Sequence, residues 1–404
     1  MRPGALYICY YHLSEPLVQG QVLEYLRELA RAGNQIHLLT FERRRLDARE
    51  RAALEAALAG EGIRWHALRY HGWPSLLATL YDVLRGVLTA HRLCRRHGLR
   101  LVHARSHVPA AMALALKRLR GYRFIFDLRG LLADEYVDGG DWRAASLKYR
   151  LTKGMERAFL READAIVTLT ARMKEELLAN GPSLKERAVE VIPCCVDTRR
   201  FAVVGGERAS YRASRGWNDR RILTYLGKLG TWYLPAEMAR FFAALRRLDP
   251  RFFFEIVTQS DPAAMASVLR SSSLAPDSYE IRFVPWAQVP LVLAASDAGI
   301  SLRTGESKRA ASPTKVGEYL AAGLPVVTNA GIGDCDALLE GRRTGVVLRD
   351  LTPGAHERAS RELLLLLDDD GLMGRCRTAA EEELSLRGVG GPRYAALYRR
   401  LLET

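Results

Sequence analysis

Apolar and polar positions along this chain alternate between two periods. Ala5–Tyr10 is an apolar run of strand length. Val22, Leu23, Leu26, Leu29 and Ala30 then share one face of a helix, and Gly33 stands where such a helix ends. Gln35–Phe41 reads as the next strand. Further strands are predicted at Leu101–Ala104, Tyr122–Asp127, Ala165–Leu169 and Val189–Ile192, with helical segments between them. The pattern restarts after residue 200, with strands at Ile222–Leu226, Phe252–Thr258, Ile281–Val284, Ala298–Leu302, Pro325–Thr328 and Gly345–Leu348. Strand–helix alternation at this spacing implies parallel strands joined by crossover helices. The expected fold class is α/β, with two Rossmann-like, doubly wound domains facing across a cleft. The first domain spans 1–200 and the second 220–387. The polar, broken stretch 201–219 reads as their linker, and the last helix, about 388–404, is expected to pack back on the first domain. Ligands of open α/β sheets bind beyond the carboxyl ends of the strands, so the loops after the strands are the place to look.

The 404 residues are 48% apolar, enough for two cores. No stretch reaches the length of a membrane span. The first apolar run is too short for a signal peptide, so a cytoplasmic protein is expected. Six cysteines (Cys9, Cys94, Cys194, Cys195, Cys335, Cys376) form neither a C-x-x-C pair nor a zinc-spaced cluster, and read as reduced core thiols.

The net charge of +14 is uneven. Residues 1–200 hold 33 Lys and Arg against 22 acids, and residues 83–126 hold ten basic residues and no acid. Something anionic is expected to approach this half: a phospholipid surface, a lipid-diphosphate acceptor or nucleic acid. No nucleic-acid motif accompanies the charge, and aromatics do not interleave with it, so nucleic acid is not the expected partner. The helix around Pro74–Arg96 carries Leu76, Leu77, Leu80, Leu84, Val87 and Leu88 on one side, with Arg85, Arg92, Arg95 and Arg96 nearby. It reads either as a packed crossover helix with a wet basic face or as a helix lying on an anionic membrane.

Ser312–Ala330 reads SPTKVGEYLAAGLPVVTNA: a loop, a short helix, a glycine turn and a buried strand. Ser312, Thr314, Lys315 and the first helical N–H groups form a site suited to phosphate. Glu318, one turn further on, can accept hydrogen bonds from both hydroxyls of a ribose. Gly323 permits the tight turn into the strand. This segment resembles the donor-binding motif of the retaining glycosyltransferases of family 4, whose fold is GT-B. That family has two glutamates eight positions apart. Glu318 matches the second, which holds the ribose; the first falls on Ala310, with Glu306 near it but out of register.

Three further segments are similar to the same family, in order. Glu15–Thr40 places Gln19-Gly20-Gln21 at the first strand-to-helix turn, where the family's glycine lets the backbone approach donor phosphate. Val191–Phe201 carries Cys194-Cys195 where the family usually has Asn-Gly. Thr224–Phe241 puts Lys228 in the place of the family's Arg, and Trp232-Tyr233 near its Lys-Gly. Base recognition is expected from backbone near Val284-Pro285-Trp286. In the first domain His103, Arg105 and His107 follow one strand, and Asp127, Arg129 and Gly130 another. Arg129 stands where the family usually has histidine, and Arg cannot act as a base near neutral pH. Asp134, Glu135, Asp138 and Asp141 make the following loop acidic: either one of them orients the acceptor hydroxyl, or they cap helices and pair with the basic stretch.

The resemblance implies transfer of a sugar, with retention, from a nucleotide sugar to a hydroxyl of a lipid-linked or cell-surface glycan intermediate. It places the protein in polysaccharide biosynthesis, in the cytoplasm or peripherally on the inner face of the cell membrane. Expected roles follow. Arg129, Asp127, His103 and Lys228 are the catalytic candidates. Gly20, Gln19, Lys228, Ser312, Thr314, Lys315, Glu318 and Pro285 bind the donor. Arg105, Asp134 and Glu135 meet the acceptor. No cofactor and no metal is expected: Asp334-Cys335-Asp336 reads as a helix cap and Asp368-Asp369-Asp370 as a polar helix end. A sugar-nucleotide epimerase on the same fold and a non-catalytic GT-B partner subunit are the alternatives.

Overall fold

A computed structural model describes residues 4–73, 75–181, 184, 187–202, 205–230, 232–272 and 274–403. The predicted helix start at Pro74, and residues 203–204 of the predicted linker, lie outside the described residues. The chain divides into two compact units, Met1–Pro193 with Gly390–Thr404, and Cys194–Val389.

The first unit is built on seven strands: β1 (Gly4–Cys9), β2 (Gln35–Glu42), β3 (Ile63–Arg69), β4 (Leu101–Arg105), β5 (Arg123–Asp127), β6 (Ala165–Thr168) and β7 (Ala188–Val191). Their order is β3-β2-β1-β4-β5-β6-β7, parallel throughout. The sequence pattern did not predict β3. It is an edge strand, IRWHALR, buried at Ile63 and Trp65 but interrupted by Arg64, His66 and Arg69, so its apolar alternation is short.

The second unit has six strands: β8 (Arg221–Leu226), β9 (Phe252–Val257), β10 (Tyr279–Arg282), β11 (Ala298–Ser301), β12 (Val326–Asn329) and β13 (Gly345–Leu348). Their order is β10-β9-β8-β11-β12-β13, again parallel. Central strands such as β1 and β9 are buried along their whole length, as helices on both faces require. Phe241, Phe242, Phe252 and Phe254 anchor one face of this sheet; Tyr319, Leu320, Leu339 and Cys376 anchor the other.

Residues 201–219 are not a free linker. Gly205–Ser214 is a helix of the second unit, whose Arg208 and Arg212 bind Asp297 and the carbonyls around it. The broken polar sequence hid it, because its partners lie more than eighty residues away. At the other end, the helix Gly391–Glu403 belongs to the first unit. Tyr394 packs edge-on against Tyr25, and Arg393 donates to the carbonyl of Val191.

In each sheet the chain order reverses once: between β1 and β4, and between β8 and β11. Loops from those strand ends diverge and leave a crevice there. Those two points fix where each unit can hold a ligand.

Candidate functional site

In the second unit, Gly227 follows β8 with φ +130°, a conformation that favours glycine. A Cβ there would lie 3.0 Å from Nζ of Lys315. Lys315 is in the first turn of the helix Thr314–Ala321, and is buried. Its ammonium lies over the rings of Tyr225 and Tyr233, 4.3 and 3.7 Å from their centres. No carboxylate or carbonyl among the described residues hydrogen-bonds it. Burial lowers its pKa, while Tyr233 and Glu318 act against that. The ammonium in turn lowers the pKa of the Tyr233 phenol. Arg303, just past β11, is buried, lies 5.4 Å from the ring centre of Trp232 and adds its charge to the same neighbourhood. Asn329 clamps the Arg303 backbone with two hydrogen bonds. This switch point therefore holds two buried cations, matched to a polyphosphate.

Glu318 lies one turn beyond Lys315. Burial pushes its pKa up to about 7, against the pull of Lys315 and Arg200. Arg200 stacks 3.0 Å from the ring centre of Trp286 and donates to the Trp286 carbonyl. Pro285 opens the short helical turn Trp286–Gln288 and accepts the Gln288 N–H. Ser312 accepts the Cys194 N–H, so its hydroxyl ties the loop together. Thr314 opens the helix, whose N-cap position is Pro313, so no side chain caps it there. Lys228 is solvent-exposed, beyond the Tyr225 hydroxyl that donates to its carbonyl. Ala310 is buried, and Glu306 is exposed at the start of the turn Glu306–Ala310.

In the first unit, β1, β4 and β5 end side by side, placing Cys9, Arg105 and Asp127 in register. Asp127 is fully buried. Its carboxylate lies 3.5 Å from His103, 3.6 Å from Arg129 and 3.9 Å from Arg105. Burial alone would raise its pKa, but Arg129, His103 and Arg105 outweigh it and hold it at about 2. Burial lowers the pKa of His103, whose Nδ1 pairs with the Tyr398 hydroxyl at 2.9 Å. Two guanidinium groups thus share one carboxylate beside a neutral imidazole. Arg129 also donates to Gln21 at 3.2 Å. Gln21 and Gly20 lie in a π-helical turn, Gln19–Leu23, set between the helices Pro16–Val18 and Glu24–Arg31.

Gln19 donates its amide to the Leu13 carbonyl and lines an open pocket of about 280 Å³ with His12, Glu42, Arg43 and Glu50. Asp134 accepts from Tyr149 and Lys153 in a network that continues through Glu156 to His107. Glu135 lies against Gly130, where any Cβ would collide with its carboxylate. Asp334 does not cap the helix Cys335–Gly341 with its side chain; Asp336 instead accepts the Gly331 N–H. Among the described residues, no three His, Cys, Asp or Glu side chains are grouped so as to hold a metal.

Residues 18–200 match the family model described as Glycosyltransferase Family 4. The chain is a glycosyltransferase, and its residues 18–200 carry the family 4 match. No curated protein matches it significantly in sequence. Solved structures do match over their whole length. A sucrose-phosphate synthase from Thermosynechococcus elongatus aligns with TM-score 0.73 at 16% identity, covering 100% of both chains. Anabaena HepE, solved in complex with UDP-glucose, aligns with TM-score 0.69 at 15% identity, over 98% of this chain and 99% of that one. WaaG, a glycosyltransferase involved in lipopolysaccharide biosynthesis, gives 0.68 at 15%, with the same coverage. The transferase therefore has the GT-B architecture of two parallel-sheet α/β units.

Sequence reasoning missed four groups in this transferase. Arg303 follows β11 by two residues, so the strand-end rule could have found it. Gln21 was in view, but its neighbours were chosen. Arg200 and Ser106 left no readable signal. Ser106 has φ 67° and ψ −171°, a region that non-glycine residues rarely adopt, between Arg105 and His107.

Proposed function

We propose that the transferase moves a glycosyl unit, with retention, from a nucleoside diphosphate sugar to a hydroxyl of a lipid-linked or cell-surface glycan intermediate. The buried Lys315 ammonium at a helix N-terminus, beside Gly227 and Arg303, carries this reading. Leaving diphosphate gains negative charge in the transition state, and a cation already fixed in a dry site stabilises it without reorganisation. Lys315 and Arg303, with the first N–H groups of the helix, are the groups for that task, and Lys228 serves the outer phosphate. Glu318, in its ionised form, takes the ribose hydroxyls. Ser312 and Thr314 shape the phosphate loop, and backbone near Pro285 meets the base. In the first unit Gly20 gives close approach. Arg129 meets the acceptor or donor sugar and is positioned by Asp127 and Gln21, while His103 and Arg105 hold Asp127. Asp134 and Glu135 border the acceptor. No metal and no cofactor enters this reading. Such an enzyme works at the cytosolic face of a membrane, where a lipid-linked acceptor presents its head group.

A thermal-shift panel of UDP, GDP, dTDP, CMP and their sugars tests it, starting with UDP-glucose because HepE is solved with that ligand. A ligand that binds only the folded state raises the melting temperature by mass action. One nucleotide should stabilise the native chain and not Glu318→Ala. No shift with any of them, on a folded sample, would sink the donor-site reading.

A further inference from the structure

We propose that the first unit seats on an anionic lipid leaflet through a face made by two of its helices, Ser75–His97 and Leu147–Glu162. The proposal deepens the lipid-linked acceptor reading and rests on it for its purpose, not for its test.

The helix Ser75–His97 is inverted relative to an ordinary crossover helix. Its inward side is made of Ala78, Asp82, Gly86, Ala90 and Cys94. Gly86 lies so close to Met112 and Phe41 that any side chain there would collide. The large apolar residues point out instead: Leu76, Leu77, Leu80, Tyr81, Leu84 and Leu88 are exposed, Leu76 by 76%. Trp73, just before them, is 89% exposed. From Leu76 to Leu88 the stripe runs about 18 Å along the helix.

On the helix Leu147–Glu162, Leu147, Leu151 and Met155 repeat the feature at i, i+4 and i+8. The helix His107–Arg120 packs against both, so the two stripes belong to one side of the sheet. The first helix follows β3, and the second comes after β5 and the helix Leu132–Asp138.

Charge decides the occupant. Asp82, the one acid on the first helix, is buried and held by Tyr10 and His71. Glu156 of the second is buried against His107, and Glu162 pairs with Arg118. The exposed charged residues on the two helices are Arg85, Arg92, Arg95, Arg96, Lys148, Arg150, Arg157 and Arg161, while Asp141 is exposed in the loop before the second helix. Apolar stripes on helices whose own exposed charges are all cations fit an anionic headgroup layer. Among the described residues no helix is long and apolar enough to cross a membrane, so the contact is a surface one.

The test is flotation of the full chain with phosphatidylcholine vesicles, with and without about 30 mol% phosphatidylglycerol. Native protein should float with the anionic vesicles and not with the neutral ones. The double variant Leu80→Glu/Leu84→Glu should lose at least about tenfold in partitioning. Leu365→Glu, at a more exposed leucine on the second unit, should behave as native. Failure to float with anionic vesicles, or flotation unchanged in the double variant, overturns the proposal. So does a concentration-dependent dimer in sedimentation that the double variant abolishes, since the occupant is then a second copy. Thermal shifts with nucleotide, measured on the same proteins without vesicles, separate the two readings. A shift retained by the double variant shows that its fold is intact. No shift in native protein counts against the donor site alone.

Discussion

The ammonium of Lys315 sits 3.7 Å from the ring centre of Tyr233, at the end of a parallel strand and the start of a helix. An isolated buried cation is costly, and the ring faces of Tyr233 and Tyr225 offset part of that cost without using up a carboxylate. The charge stays available to a ligand. Lys315→Met should keep the fold and lower kcat by about a hundredfold or more, the size seen when one preorganised group is removed from a developing charge. Tyr233→Phe, which keeps the ring, should lose far less than Tyr233→Ala. Steady-state kinetics on the three variants decide it; equal losses in the two Tyr233 variants would assign the effect to the hydroxyl.

Glu318 gives a pH dependence with a definite sign. Its pKa is raised to about 7 from 4.5, so the folded apo protein holds a proton that the unfolded chain has released. Its contribution to stability is fully present below about pH 4.5 and is lost as pH rises through about 7. The proposed ribose contact uses the ionised form, so on that reading nucleotide affinity should rise over the same range. Calorimetric titrations between pH 5.5 and 8.5 should show a midpoint near 7 in native protein, a window set by the raised pKa of Glu318. Glu318→Gln should be weak and flat. Glu255, also raised to about 7 by burial, is common to both proteins and cancels in the difference.

Asp127 is shared by Arg105, Arg129 and His103 inside the first unit. Asp127→Asn removes that shared negative charge from a buried cluster, and should cost about 3–5 kcal/mol in urea unfolding. The native carboxylate, held at about 2 against 3.8 in the unfolded chain, stabilises the fold above pH 3.8. That contribution is lost as pH falls through about 2. A variant within 0.5 kcal/mol or so of native would show that the cluster adds little to the fold.

Ser106 offers a prediction of opposite sign. Its backbone lies in a region essentially reserved for glycine. Ser106→Gly should raise stability by about 1 kcal/mol, less the entropy that glycine adds to the unfolded chain. An unchanged or lower urea midpoint would mean that the Ser106 hydroxyl, 3.5 Å from His107 Nδ1, outweighs the strain.

Much of the fold was legible because period and strand length are local properties. Twelve of the thirteen strands follow from apolar runs set between helical faces; only β3, half polar at its edge, escaped. The loop, helix, glycine turn and strand around Lys315 and Glu318 were legible for the same reason, since they are contiguous. The linker reading failed at Gly205–Ser214, because Arg208 and Arg212 find their partners at Asp297 only in the folded unit. Likewise nothing near Asp127 in the sequence announces Tyr398 or Tyr394, which arrive with the last helix.

By itself, then, the sequence determined two parallel α/β units and their switch-point loops, and carried the resemblance of Ser312–Ala330 to a glycosyltransferase motif. Each of these is written in residues that are neighbours along the chain. The tertiary structure decided which charges are buried, and therefore which pKa values move. It also decided which way the helix Ser75–His97 faces. Periodicity shows that its leucines share a side, but only packing against the sheet, through Ala78, Gly86, Ala90 and Cys94, turned that side outward.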